Sequence, residues 1–137
     1  MDTNFISLMV KCPYCTQSLM DYSKLIRGKP SIKLHVKAGD NEGILNLCSL
    51  YGCFERESEI DLIEGEITDL LCPYCYKNLK CKTICDICGA PIIDIRLETG
   101  GKLQICSRID CKKRNVTWED IYEDLTRYFR LHDYKAK

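Results

Sequence analysis

Ten of the eleven cysteines in this 137-residue chain fall in close pairs. Cys12/Cys15, Cys72/Cys75 and Cys85/Cys88 have two residues between them, and Cys48/Cys53 and Cys106/Cys111 have four. A two-residue gap suits a knuckle turn that aims both thiolates at one ion while backbone N–H groups donate to the sulfurs. Cysteine-dense short chains are either disulfide scaffolds or metal sites, and the redox compartment separates the two. The odd count favours metal. So does the start of the chain: the apolar run from Phe5 to Val10 is preceded by Asp2 and ended by Lys11, which is no secretory leader. No apolar run approaches the roughly 18 residues of a membrane span. The expectation is therefore a reduced, cytoplasmic, metal-stabilised protein with no membrane role.

The chain also repeats itself. Residues 12–53 open with Cys-Pro-Tyr-Cys and close with Cys-Ser-Leu-Tyr-Gly-Cys; residues 72–111 open with Cys-Pro-Tyr-Cys and close with Cys-Ser-Arg-Ile-Asp-Cys. Each unit has a spacer ending in proline (Pro30, Pro91), an alternating apolar–polar segment, a glycine-bearing turn and a returning apolar segment. Ile32 to Val36 and Ile93 to Leu97 read as half-buried strands, and Ile44 to Leu47 and Leu103 to Ile105 return toward cysteine. The turns lie at Gly39 to Gly43 and Gly100-Gly101. Each unit thus reads as knuckle, hairpin, knuckle. A hairpin alone is marginal in water, and a metal ion joining its ends supplies what the small core lacks.

Between the units, Glu55 to Asp69 is acidic, with seven acidic residues and one basic between Phe54 and Asp69. Ile60, Leu62, Ile67 and Leu70 suggest two further short strands about Glu64-Gly65, the second feeding Cys72. The tail differs. Thr117 suits a helix N-cap, and Trp118, Ile121, Tyr122, Leu125, Tyr128, Phe129 and His132 recur at helical spacing. The expected organisation is a first unit with its acidic extension (1–71), a second unit (72–115) and an amphipathic C-terminal helix (116–137).

The Cys-Pro-Tyr-Cys and Cys-Asp-Ile-Cys-Gly-Ala-Pro segments resemble the knuckles of zinc-ribbon proteins, including double zinc-ribbon modules. The resemblance spans residues 12–111 and implies a β-rich, metal-stabilised fold holding zinc; it says almost nothing of biological role. Two departures stand out. Thr16 and Tyr76 sit where glycine often follows the knuckle, and the closing pairs have four intervening residues rather than two.

Ten paired cysteines do not divide by four. The repeat favours Cys12, Cys15, Cys48 and Cys53 as one site. Cys106 and Cys111 take either Cys85/Cys88 or Cys72/Cys75, with Cys85/Cys88 preferred because Gly89-Ala90-Pro91 leads straight into a strand. Cys72/Cys75 then either joins Cys81 in a third site or displaces Cys48/Cys53 and pairs with Cys12/Cys15. Cys81 is otherwise a bystander thiol. Two zinc ions per chain are expected, or three if that third site forms. Iron suits four thiolates as well, but the four-residue closing spacing is not that of a rubredoxin.

Nothing in the chain assembles a catalytic constellation. A catalytic zinc keeps an open position and usually takes histidine or carboxylate, and the two histidines read as an edge residue (His35) and a residue on the tail's apolar side (His132). Net charge is zero, but residues 76–115 carry nine basic and four acidic side chains, with Arg108, Lys112, Lys113 and Arg114 clustered. Four thiolates around a divalent ion carry about −2, which roughly halves that excess. The reading is a non-enzymatic interaction module or accessory subunit, contacting a protein partner or a second copy through its C-terminal helix. The alternatives are a nucleic-acid-binding ribbon protein, binding weakly, and an iron-binding redox accessory protein.

Overall fold

A computed structural model describes residues 7–111 and 114–117. Its elements are all strands: β1 (Val10–Lys11), β2 (Met20–Ile26), β3 (Lys29–Ala38), β4 (Asn41–Leu47), β5 (Arg56–Ser58), β6 (Asp69–Leu71), β7 (Lys80–Ile84), β8 (Pro91–Leu97), β9 (Lys102–Cys106) and β10 (Arg114–Thr117). They form two five-stranded antiparallel sheets. One has the order β2-β3-β4-β5 with β6 also on β3; the other has the order β1-β8-β9-β10 with β7 also on β8.

The alternating segments become the hairpins β3–β4 and β8–β9, as their period requires. Ala38 pairs with Asn41, so the first turn is only Gly39-Asp40, with Gly39 at φ +63°. Gly43 instead lies within β4, where a Cβ would stand 3.1 Å from the Glu59 and Ile60 side chains.

Each sheet borrows a strand from outside its own repeat. β1, ahead of the first Cys-Pro-Tyr-Cys, pairs with β8 through Val10↔Leu97 and Lys11↔Arg96. β6, ahead of the second, pairs with β3 through Leu70↔Val36 and Leu71↔His35. The two registers correspond across the repeat, so each unit lends the strand that enters its knuckle to the other unit's hairpin. The result is one shared core. Leu34 and Val36 of β3, Ile93 and Ile95 of β8, and Leu103 of β9 are fully buried in it together with Val10, Leu19 and Leu79. Burying each such side chain is worth about 1.5–3 kcal/mol.

Several expectations change. The proline-ended spacers hold strands β2 and β7, each an irregular partner of the hairpin that follows. Ile60 and Leu62 form no strand; they pack half-buried against the core, and the strands of the acidic stretch are β5 and β6. His35 is no edge residue. With β4 on one side and β6 on the other, it is 8 % exposed, bonded to Glu42 at 3.0 Å and set edge-on to the Tyr76 ring. No helix occurs among the described residues. The expected amphipathic helix lies outside them, apart from Val116 and Thr117, which belong to β10. No helix among the described residues is long and apolar enough to cross a membrane.

Candidate metal centres

Two groups of four thiols converge, each with all four sulfurs within 4.8 Å of one another: Cys12, Cys15, Cys72 and Cys75, and Cys85, Cys88, Cys106 and Cys111. Either group could hold a metal ion.

The first group joins the two Cys-Pro-Tyr-Cys knuckles. β1 delivers Cys12 and β6 delivers Cys72, and each knuckle then folds back identically. Thr16 N–H donates to Cys12 O at 3.0 Å, and Tyr76 N–H donates to Cys72 O at 2.9 Å. The turn needs a left-handed residue, and Thr16 (φ +62°) and Tyr76 (φ +60°) take that position, so the two sequence departures are strained non-glycine residues. Across the knuckles, Cys12 Sγ lies 3.8 Å from Cys75 Sγ, and Cys15 Sγ lies 3.7 Å from Cys72 Sγ. Four sulfurs about 2.3 Å from a tetrahedral zinc stand about 3.8 Å apart, so the donor set fits that ion. Tyr14 N–H and Tyr74 N–H donate to the Cys12 and Cys72 sulfurs at 3.3 and 3.4 Å, which steadies thiolate charge. Lys77 sits 5.0 Å above the Tyr14 ring and Lys33 5.9 Å above the Tyr74 ring, bringing positive charge beside an anionic site.

The second group closes one hairpin. Cys85 and Cys88 occupy the turn between β7 and β8, Cys106 ends β9 and Cys111 follows it. Cys85 Sγ lies 3.9 Å from Cys111 Sγ, and Cys88 Sγ 3.3 Å from Cys106 Sγ. Here the left-handed knuckle residue is a glycine, Gly89 at φ +79°. Arg108 is turned inward: its guanidinium donates to Gly65 O at 2.8 Å and to Cys88 O at 3.4 Å. In the basic cluster expected around the last knuckle, Arg108 is thus half-buried and tied to two carbonyls, and Lys112 and Lys113 lie outside the described residues.

Each group contains buried and half-exposed thiols with opposed ionisation. Burial pushes Cys72 up to about 12 and drives Cys106 far up as well. The Ala90 N–H, helped by Arg108, pulls Cys88 down to about 6, and the Lys77 N–H pulls Cys75 down. A divalent ion supplies the charge that the buried sulfurs need to ionise.

The preferred partition of the first unit is thereby corrected. Cys12/Cys15 meet Cys72/Cys75, the arrangement weighed as an alternative, and not Cys48/Cys53. Cys48 and Cys53 lie beside each other in a small apolar cluster with Ile26 and Leu50, and they form no third such group among the described residues. The physical reason is the β2–β3 connection, a two-residue turn of Arg27-Gly28 (φ +54° and +77°), where the second unit inserts its Cys85–Cys88 knuckle. Cys81 packs half-buried against the second group without joining it. No protein-family model matches the chain, and neither do curated proteins or solved structures, so the case for the two centres stands on their geometry.

Proposed function

We propose that the chain is a non-enzymatic structural-zinc protein of zinc-ribbon type, holding one zinc in each four-thiol group and acting in the cytoplasm as an interaction module or accessory subunit. The observation that carries the reading is the donor set: each group presents four converging sulfurs, the number that fills a tetrahedral structural zinc. The first ties strands from distant parts of the chain and the second closes a hairpin, both places where a structural ion contributes.

Surface features support the docking role. A shallow open cleft is lined by Leu47, Leu70, Ile105 and Ile109, with Phe54 and the 2.9 Å Arg56–Asp110 ion pair beside them. Ile84, just before the Cys85–Cys88 knuckle, and Ile87, within it, are exposed, Ile87 by 71 %. Single exposed apolar residues are ordinary, but two on a rigid metal-bound turn suit a partner protein.

Native mass spectrometry of protein purified under reducing conditions tests the reading. Two zinc ions per chain and loss of β-structure on chelation are expected. Stoichiometric iron with thiolate charge-transfer absorption would replace it with the redox-accessory alternative.

Nucleic-acid binding has one specific observation in its favour. Tyr14, Tyr74 and Tyr76 are exposed around the first centre with Lys33 and Lys77 beside them, and exposed aromatics among lysines form stacking platforms for single strands. Submicromolar, salt-sensitive binding of single-stranded RNA, lost in a Tyr14→Ala, Tyr74→Ala variant that keeps its metal, would establish that reading instead.

A further inference from the structure

The closing pair of the first unit has the backbone of a metal knuckle and half of its ligands. Ser49 Oγ donates to Pro30 O at 2.6 Å, as Ser107 Oγ does to Pro91 O at 2.6 Å. Cys53 N–H bonds Leu50 O at 3.0 Å, as Cys111 N–H bonds Arg108 O at 3.2 Å. Gly52 (φ +83°) and Asp110 (φ +65°) take the same left-handed position before the last cysteine. In the second unit this loop aims two sulfurs at the point where Cys85 and Cys88 meet them. In the first unit the opposing place is filled by Ile26, which packs on Cys48 and Leu50, and by Arg27. Two thiols are thus held in contact with each other, and the opposing knuckle is replaced by a hydrocarbon and a guanidinium.

We propose that Cys48 and Cys53 form a reversible dithiol–disulfide site, with Cys53 as the thiol that reacts with a peroxide and Cys48 as the thiol that resolves it.

The surroundings divide the roles. Cys48 is 1 % exposed, and burial first, then its contact with Cys53, pushes its thiol up to about 11. It is neither reachable by solvent nor readily ionised. Cys53 is half-exposed, and its thiol donates to the Glu55 carboxylate at 3.7 Å. The same carboxylate oxygen accepts from Arg27 Nε at 2.9 Å. Glu55 Oε2 therefore bridges the thiol and the guanidinium, which keeps Arg27 on the solvent-facing side of the pair beside Cys53. Arg27 is itself held more firmly protonated, first by Glu55 and then by Cys53.

The chemistry balances with a hydroperoxide as oxidant. The Cys53 thiolate attacks the peroxide oxygen, the O–O bond breaks, and the leaving oxygen departs with the proton from Cys53 as water or an alcohol. Cys53 is then a sulfenic acid. Cys48 sulfur attacks the Cys53 sulfur, the S–O bond breaks, and hydroxide leaves with the Cys48 proton as water. Two thiols are oxidised to one disulfide and one peroxide is reduced. Two equivalents of an external thiol reduce the disulfide back to two thiols, the first forming a mixed disulfide and the second leaving with it as an external disulfide. The eight thiols of the two metal groups are shielded while metal is bound; that clause alone rests on the structural-zinc reading.

The test uses the intact metal-loaded chain treated with a modest excess of hydrogen peroxide. Remaining thiols are then alkylated, the peptides mapped by mass, and metal counted in parallel by native mass spectrometry. Expected is one Cys48–Cys53 disulfide, removed by dithiothreitol, with metal content unchanged. A Cys48→Ser variant should instead accumulate a dimedone-trappable sulfenic acid on Cys53, and an Arg27→Gln variant should react several-fold more slowly. The proposal is overturned if Cys48 and Cys53 stay alkylatable while other thiols oxidise, if dimedone traps Cys48 rather than Cys53 in the corresponding single variants, or if the pair is protected by a third metal ion. A metal count of zero with the disulfide still forming would sink the structural-zinc reading and leave this one standing.

Discussion

Cys12 and Cys75 are separated by 63 positions in the chain, and their sulfurs lie 3.8 Å apart. That contact makes the first centre a joint between the two repeats rather than a closure of one. Losing any of its four ligands should therefore unfold both sheets together. Structural zinc in small domains supplies on the order of 10 kcal/mol, comparable to a domain's whole net stability. Cys12→Ser or Cys75→Ser is expected to bring the metal count from two to one and abolish cooperative unfolding near room temperature. Cys48→Ser should keep two ions. Native mass spectrometry and thermal melts of the three variants decide it; metal loss in Cys12→Ser and Cys48→Ser with none in Cys75→Ser would restore a first centre made of Cys12, Cys15, Cys48 and Cys53.

Acid should release metal, and Arg108 should set the pH at which the second centre lets go. Its thiols must be ionised to bind, and without metal the Ala90 N–H and then Arg108 hold Cys88 down at about 6, so protons compete with the ion for this sulfur only at lower pH. Arg108→Ala removes one of the groups that hold it down, so protons compete earlier. The release midpoint of the second centre should move upward, by roughly up to one pH unit, while the first centre is unaffected. Metal counts against pH for wild type and variant show it; an unchanged midpoint would mean that the guanidinium serves only the Gly65 carbonyl.

The left-handed knuckle residues offer a stabilising substitution. Thr16 holds φ +62° at the surface, and such a conformation costs a non-glycine residue about 1–2 kcal/mol. Thr16→Gly relieves it, less about 0.5–1 kcal/mol for glycine's greater freedom when unfolded. A gain of a few degrees in melting temperature is expected. Tyr76→Gly should gain nothing, because it uncovers His35, whose ring meets Tyr76 at 5.2 Å between centroids. Melting curves that rank the two variants the other way would remove strain from the account.

In the shared core, Ile95→Ala should cost about 2–5 kcal/mol, the usual range for deleting a fully buried aliphatic side chain. Ile87→Ala should change stability by less than about 0.5 kcal/mol while weakening any complex that uses the second knuckle. Denaturant titrations with metal present give both numbers, and a large loss at Ile87 would make it core rather than contact surface.

What could be read from the sequence was what period and spacing encode. The alternation of Ile32 to Val36 and Ile93 to Leu97 located both hairpins, and Gly89-Ala90-Pro91 tied Cys85/Cys88 to the strand that leads to Cys106/Cys111. The first centre was legible only as one of two partitions, because repeat symmetry argued for the wrong one. A signal was present: the second unit has two knuckles ahead of its hairpin and the first has one, followed by Arg27-Gly28, a pair suited to a tight turn. Strands β2 and β7 left little trace. Both are irregular in register with mostly exposed side chains between their ends, so no apolar alternation marks them. The burial of His35 depends on β6 and Tyr76, which arrive from the other repeat, and local pattern carries no record of such partners.

The exchange of strands between repeats has a consequence for a chain still being made. At about 5–20 residues per second, Cys72 and Cys75 follow Cys12 and Cys15 off the ribosome by roughly 3–12 seconds. Val10 must wait longer still for Leu97. Throughout that interval the first knuckle is a pair of thiols without its partner pair, and neither sheet can be finished. A metal centre of the proposed kind can therefore form only if the early cysteines are still reduced when the second repeat emerges.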